Sequence, residues 1–216
     1  GDDLAIGANT LSVGSNDQTT EYSGVLSGTG GGLTKVGTGT LTLSGDNTYT
    51  GTTNVTAGTL LINGDQAAAT GAVNVTGGGT LGGDGRIGGA VTVDASSTFA
   101  PGNSAEEIIL DNGLTNSGTI EIEIGGTSPG TDFDLITVTG GDAILGGTLA
   151  VELINDFKPE FGDVFNVINQ TGAGSLTDNG ITLGGTWGSM FTMNLNTDNG
   201  ILTITSQIPQ PASALL

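Results

Sequence analysis

The tripeptide Gly-Thr-Leu keeps returning along this chain, and its spacing limits the fold more than any other feature. It stands at Gly39-Thr40-Leu41, Gly58-Thr59-Leu60 and Gly79-Thr80-Leu81, with variants at Ser97-Thr98-Phe99, Gly118-Thr119-Ile120, Gly147-Thr148-Leu149 and Gly185-Thr186-Trp187. The first residues lie 19, 21, 18, 21, 29 and 38 positions apart. The last interval is two periods and the 29 is one period with an insertion, so the repeat is about 20 residues long. A repeat of that length cannot bury its apolar side alone and must stack on its neighbours.

Within each repeat the residues alternate, as in Leu41-Thr42-Leu43, Val73-Asn74-Val75, Val91-Thr92-Val93 and Ile120-Glu121-Ile122-Glu123-Ile124. Side chains two apart share a face, so the apolar set turns inward and Thr, Asn and Glu turn outward. A leucine-rich repeat would show L-x-x-L-x-L-x-x-N, which is missing, and a propeller blade needs about 40 residues. The period and the short strands predict an all-β chain, a single parallel β-helix (β-solenoid) with about 20 residues per turn and about ten turns. Composition agrees. The 41 Gly suit corners that need positive φ, and Gly, Thr and Asn disfavour helix. A narrow solenoid core also explains how 4% aromatic residues can suffice. The coil is expected over 1–206, followed by an extended Pro-containing tail over 207–216.

Three basic residues, Lys35, Arg86 and Lys158, stand against 22 Asp and Glu, for a formal charge of -19. Nucleic acid and anionic lipid are poor partners for such a chain, because both need clustered Lys and Arg. Acidity of this kind keeps an extracellular protein soluble, and it also suits divalent cations between neighbouring acidic faces. Cys is absent, which removes disulfides and thiolate sites. No run of about 20 apolar residues predicts a membrane span. Gly1-Asp2-Asp3-Leu4 lacks a start Met and a basic leader, as expected of an exported chain after its signal is removed and equally of a trimmed piece.

The block from Gln18 to Ile62 contains Leu33-Thr34-Lys35-Val36-Gly37-Thr38-Gly39-Thr40-Leu41-Thr42-Leu43-Ser44-Gly45, then Asn47-Thr48-Tyr49-Thr50-Gly51-Thr52-Thr53 and Ala57-Gly58-Thr59-Leu60. It resembles the passenger-associated transport repeat of bacterial autotransporters. Gly79-Thr80-Leu81-Gly82-Gly83-Asp84-Gly85-Arg86-Ile87 and Phe99-Ala100-Pro101-Gly102-Asn103-Ser104 look like segments that often follow that repeat. Asp132-Phe133-Asp134-Leu135-Ile136-Thr137-Val138 looks like the distal part of similar exported proteins. The resemblance implies a right-handed β-helix displayed outside a Gram-negative cell, with the repeat serving secretion rather than chemistry. This stretch does not hold the at least eight alternating strands of an export barrel. Its end, Ile208-Pro209-Gln210-Pro211-Ala212-Ser213-Ala214-Leu215-Leu216, is similar to the start of a PEP-CTERM sorting signal, with Gln210 where Glu is usual.

With no His and no Cys, Ser-His-Asp and Cys-His catalysis and most zinc sites are unavailable. Carboxylate pairs remain, namely Glu106 with Glu107, Glu121 with Glu123, and Asp132 with Asp134. Glu121 and Glu123 have the simpler reading of two solvent-facing residues on one strand, and Glu106-Glu107 that of a loop. No catalytic residue and no cofactor is assigned on these grounds. Calcium is the one cation considered, at Asp132 and Asp134, which would share a strand face, although calcium takes six to eight oxygens. Asn47, Tyr49, Trp187 and Tyr22 could mark a carbohydrate-binding surface, against the plainer reading of packing and corner residues.

Three functions compete. The first is a secreted structural protein of the cell surface or extracellular matrix that stacks end to end into fibres, with itself as partner. The second is a monomeric adhesin binding glycan, such as extracellular polysaccharide, or protein. The third, a polysaccharide-acting enzyme, has least support. The fibre expectation rests on ends without caps: no amphipathic helix covers Gly1 to Leu11 or follows Ile201-Leu202-Thr203-Ile204-Thr205.

Overall fold

Residues 1–102 and 104–208 are described by a computed structural model. Their regular structure is β except for one 3-10 turn, Gly188–Met190, as the period requires. The strands stack as three faces of a parallel β-helix. The first face runs from Thr10–Val13 through Gly32–Lys35, Thr53–Val55, Val73–Val75, Val91–Val93, Leu114–Asn116 and Ala143–Leu145 to Leu176–Asp178. The second runs from Thr20–Tyr22 to Thr182–Gly184, and the third from Asp65–Gln66 to a closing hairpin.

Register gives the coil lengths. Leu11, Leu33, Thr53, Val73, Val91, Leu114, Ala143 and Leu176 lie one above another, so successive coils take 22, 20, 20, 18, 23, 29 and 33 residues. The first and second faces therefore have eight rungs each rather than about ten, because the later coils carry excursions.

The repeating threonine becomes a column. Thr40, Thr59, Thr80, Thr98, Thr119, Thr148 and Thr182 stack on the outside of the second face, while Leu41, Leu60, Leu81, Phe99, Ile120 and Leu149 stack inside at 4% exposure or less. The sequence expectation fails at the last member. Thr182-Leu183 occupies the rung, and Gly185-Thr186-Trp187 falls beyond it, because hydrogen-bonding to Thr148 follows the chain path rather than the tripeptide.

Glycine is required where coils touch. Gly37 has φ +68, and a Cβ there would stand 2.0 Å from the Gly14 carbonyl oxygen, so only hydrogen fits. Two polar residues enter the inner column formed by Val13, Lys35, Val55, Val75, Val93, Asn116 and Leu145. Lys35 is fully buried, and its Nζ donates to the carbonyls of Val36 (2.9 Å), Gly37 (2.9 Å) and Ala57 (3.3 Å). Burial pushes its ammonium pKa down, against a smaller upward pull from Asp17. Asn116 donates to Gly118 O (3.1 Å) and Gly146 O (2.6 Å). Each side chain ties one coil to the next through corner carbonyls, Lys35 reaching Ala57 and Asn116 reaching Gly146.

The two ends differ. At the first coil Leu4, Leu11, Val13, Tyr22, Leu26 and Leu33 line an open apolar recess of about 260 Å³, and Leu4 is 42% exposed. At the other end Ile201–Ser206 runs antiparallel between Val164–Gln170 and Phe191–Asn196. That hairpin extends the third face, and its outer strand Phe191–Asn196 pairs on one side only, as do the last strands of the other two faces, Leu176–Asp178 and Thr182–Gly184. A strand of alternating apolar residues can complete a sheet in either direction, and the turn at 197–200 sets the direction here. Residues 209–216, the stretch similar to a sorting signal, and Asn103 lie outside the described residues.

Candidate functional site

The outside of the second face carries a groove of about 170 Å³ lined by Thr59, Leu61, Thr80, Ala100, Pro101, Gly102, Glu121, Glu123 and Asp134. Its floor follows from the residue beside each column threonine. These are Leu61, Gly82 and Ala100, which pair in register and leave a shallow apolar strip. Its acidic end is built where the strand Thr119–Ile124 continues into the excursion over 125–134.

Glu121 is exposed as its place on the strand predicts, but Glu123 is half-buried. Burial raises the Glu123 pKa, and Glu121 together with Glu152, its partner on the next strand, adds to the rise. Asp132 and Asp134 do not share a strand face, because the strand begins at Leu135 and both precede it in a tight turn. Asp132 accepts from the Ser128 N–H at 3.1 Å, and Ser128 holds its pKa down through side chain and backbone. Asp134 is 1% exposed, with Oδ1 accepting from Glu106 N–H (3.1 Å) and Oδ2 from Glu123 N–H (2.7 Å). Burial pushes its pKa up to about 8, with Glu123 and Glu106 adding to the rise and the two N–H donors opposing it.

Of the three carboxylate pairs considered, the structure thus joins parts of each. Glu106, Glu123 and Asp134 meet, while Asp132 serves its own turn. Glu107 is not in a loop but opens the strand Glu107–Leu110, where Oε1 accepts from Thr137 Oγ1 at 2.6 Å. Asp134 could not have been singled out from its neighbours in sequence, since only the covering excursion buries it. Both its oxygens are taken by backbone donors, which suits holding chain rather than transferring a proton to a substrate. Among the described residues no group of three or more acidic side chains is placed to hold a metal ion.

Two of the four residues considered for sugar binding lie inside. Asn47 and Tyr49 are buried, and the Tyr49 hydroxyl sits 2.6 Å from Thr53 Oγ1. Burial pushes the Tyr49 pKa up, with the Thr53 contact opposing. Tyr22 and Trp187 are half-buried near opposite ends of the coil. Arg86 spends its Nε on both oxygens of Asp111 at 3.0 and 2.8 Å. The outer surface that remains is long, polar and regular, made of the threonine column and an Asn54 and Asn74 pair on the first face joined at 3.1 Å.

A parallel β-helix whose outer faces repeat the same residues from coil to coil belongs to the class of repeat scaffolds. Within that class, residues 33–62 match the passenger-associated-transport-repeat family model, inside the block from Gln18 to Ile62. Over 186 residues the chain is 41% identical to the protein described as "Adhesin BmaC autotransporter" from Brucella suis biovar 1 (strain 1330). The alignment takes in 83% of this chain and 5% of that protein, so the chain spans a small part of its relative's length. Residues 33–62 thus match a passenger-associated transport repeat, and most of the chain is similar to a segment of an autotransporter adhesin.

Proposed function

We propose that this chain is a rigid, non-enzymatic segment of a surface-displayed adhesin of a Gram-negative bacterium. Its outer faces contact glycan or protein outside the cell. The observation that carries this reading is the 41% identity to an autotransporter adhesin along most of the coil. The uninterrupted column of seven threonines supports it, because a straight hydroxyl-bearing face offers repeated hydrogen bonds over a long contact. The charge of -19 favours neutral or basic ligands over nucleic acid.

The test is display of the chain on a non-adherent bacterium, scored on glycan arrays and on host-cell and matrix-protein surfaces. Adherence that the double change Thr80→Lys and Thr98→Lys reduces at least tenfold supports the reading. No adherence above a host displaying an unrelated β-helix sinks it.

Homotypic assembly is a second reading, favoured by the open apolar recess beside Leu4 and Leu11. A head-to-tail fibre would seat this recess against the hairpin end of the next copy, one heterologous joint repeated. Light scattering of the purified chain, with and without millimolar calcium, separates the two. Growth in mass with concentration supports assembly, and a monomer throughout ends it.

A further inference from the structure

Three stretches of chain hang on one buried carboxyl. Asp134 takes the Glu106 N–H on Oδ1 and the Glu123 N–H on Oδ2, and its own N–H donates to Glu123 O at 3.0 Å. Gly102 closes in behind, so that a Cβ there would stand 3.2 Å from Oδ1. Within the excursion over 125–134, Gly125 N–H donates to Asp132 O (2.7 Å) and Asp132 N–H to Ser128 O (2.8 Å), and beside Asp134 the Phe133 ring seats the returning chain in the core, edge to face with Phe165 at 5.2 Å. The charged groups acting on this carboxyl are acidic. They are Glu123 on Thr119–Ile124 and Glu106 from the segment entering Glu107–Leu110, while Glu121 and Glu152 act in turn on Glu123. Among the described residues Asp134 has no ion pair.

We propose that Asp134 is a protonation-controlled latch. With its proton on, it clamps the 104–106 segment to the base of the excursion at 123–134, and ionised among the glutamates it loosens that junction, with Phe133 still seated in the core, and widens the acidic end of the groove. A buried carboxyl without a cation partner is costly to ionise, and two N–H donors offset only part of that cost. Opening returns Asp134 to water, where it ionises as an ordinary carboxylate. Its pKa is therefore higher closed than open, so the clamp is complete below the ordinary carboxylate range. It weakens as pH rises, by at most about tenfold in the closed-to-open ratio per pH unit, and levels off above about 8. Ionisation of the glutamates acts in the same direction.

Hydrogen exchange of the intact chain between about pH 5 and pH 9, corrected for intrinsic base catalysis, tests this. The expected result is protection in 104–107 and 123–135 that falls several tenfold up to about pH 8, while 73–93 on the regular coil stays flat. Asp134→Asn is expected to abolish the slope. Glu123→Gln removes a neighbouring charge without touching the clamp's main-chain donors, and it is expected to move the levelling-off to lower pH. It decides the matter if Asp134→Asn does not fold. Flat protection in the unaltered chain, an unchanged slope in Asp134→Asn, or an unmoved plateau in Glu123→Gln would each overturn the latch.

Discussion

The coils from Leu11 to Val93 and those from Leu114 onward share the same inner and outer columns, yet they are closed by different means. In the first set a coil takes 18 to 23 residues, corners meet backbone to backbone, and Leu, Val and Ile fill most of the interior, with Tyr49 and Phe99 as single rings. In the second a coil takes 29 or 33 residues, and the chain leaves the coil and returns. Phenylalanine fills the space there. Phe165 meets Phe133, Phe157 and Phe191 edge to face at 5.2, 6.3 and 6.2 Å. Where coils are short, glycine lets backbones touch, and aliphatic side chains with isolated rings fill the interior. Where they lengthen, the cross-section widens and large rings must occupy it.

That contrast breaks most readily at its centre. Phe165→Ala removes the ring shared by the other three and should cost about 3–5 kcal/mol. Denaturant unfolding followed by fluorescence of Trp187, which lies in this region, should show the later coils melting ahead of the rest. Unfolding of both regions together, at unchanged midpoint, would mean that the ring cluster is not what closes the wide coils.

Gly37→Ala probes the other regime. A left-handed backbone costs a non-glycine residue about 1–3 kcal/mol, and the Gly14 carbonyl at 2.0 Å from the new Cβ adds to it. The loss should appear as a lower midpoint with local exchange at 14–17 and 36–39. Gly162→Ala is the control, with φ +91 but nothing within 4 Å, and should cost only the backbone part. Equal losses in the two would remove close coil approach as the reason for glycine.

The smallest effect belongs to the outer column. Thr98 sits between Thr80 and Thr119 with its side chain outside the core, so Thr98→Val should shift stability by no more than about 0.5 kcal/mol in either direction. A loss of several kcal/mol, measured by chemical unfolding, would mean that the column holds the coil up and is not simply a presented surface.

Much of this was legible in the chain itself. The period, the scarcity of helix among the described residues, the inward Leu and outward Thr, and the resemblance to a transport repeat all come from residues within one or two periods of each other. Alternation and glycine corners are local properties, and stacking repeats them. What only the tertiary structure decided lies where a residue's neighbours come from elsewhere. Asn47 and Tyr49 read as surface candidates yet are core, because they turn into the coil at a corner. Asp134 reads like Asp132, and only the excursion folding over it removes its water and raises its pKa. Thr182 rather than Thr186 completes the threonine column because register is set by hydrogen bonds to the strand below. The last strand, alternating like the others, pairs antiparallel and ends the third face in a hairpin, since alternation fixes which side of a strand is buried and leaves its direction to the turn before it.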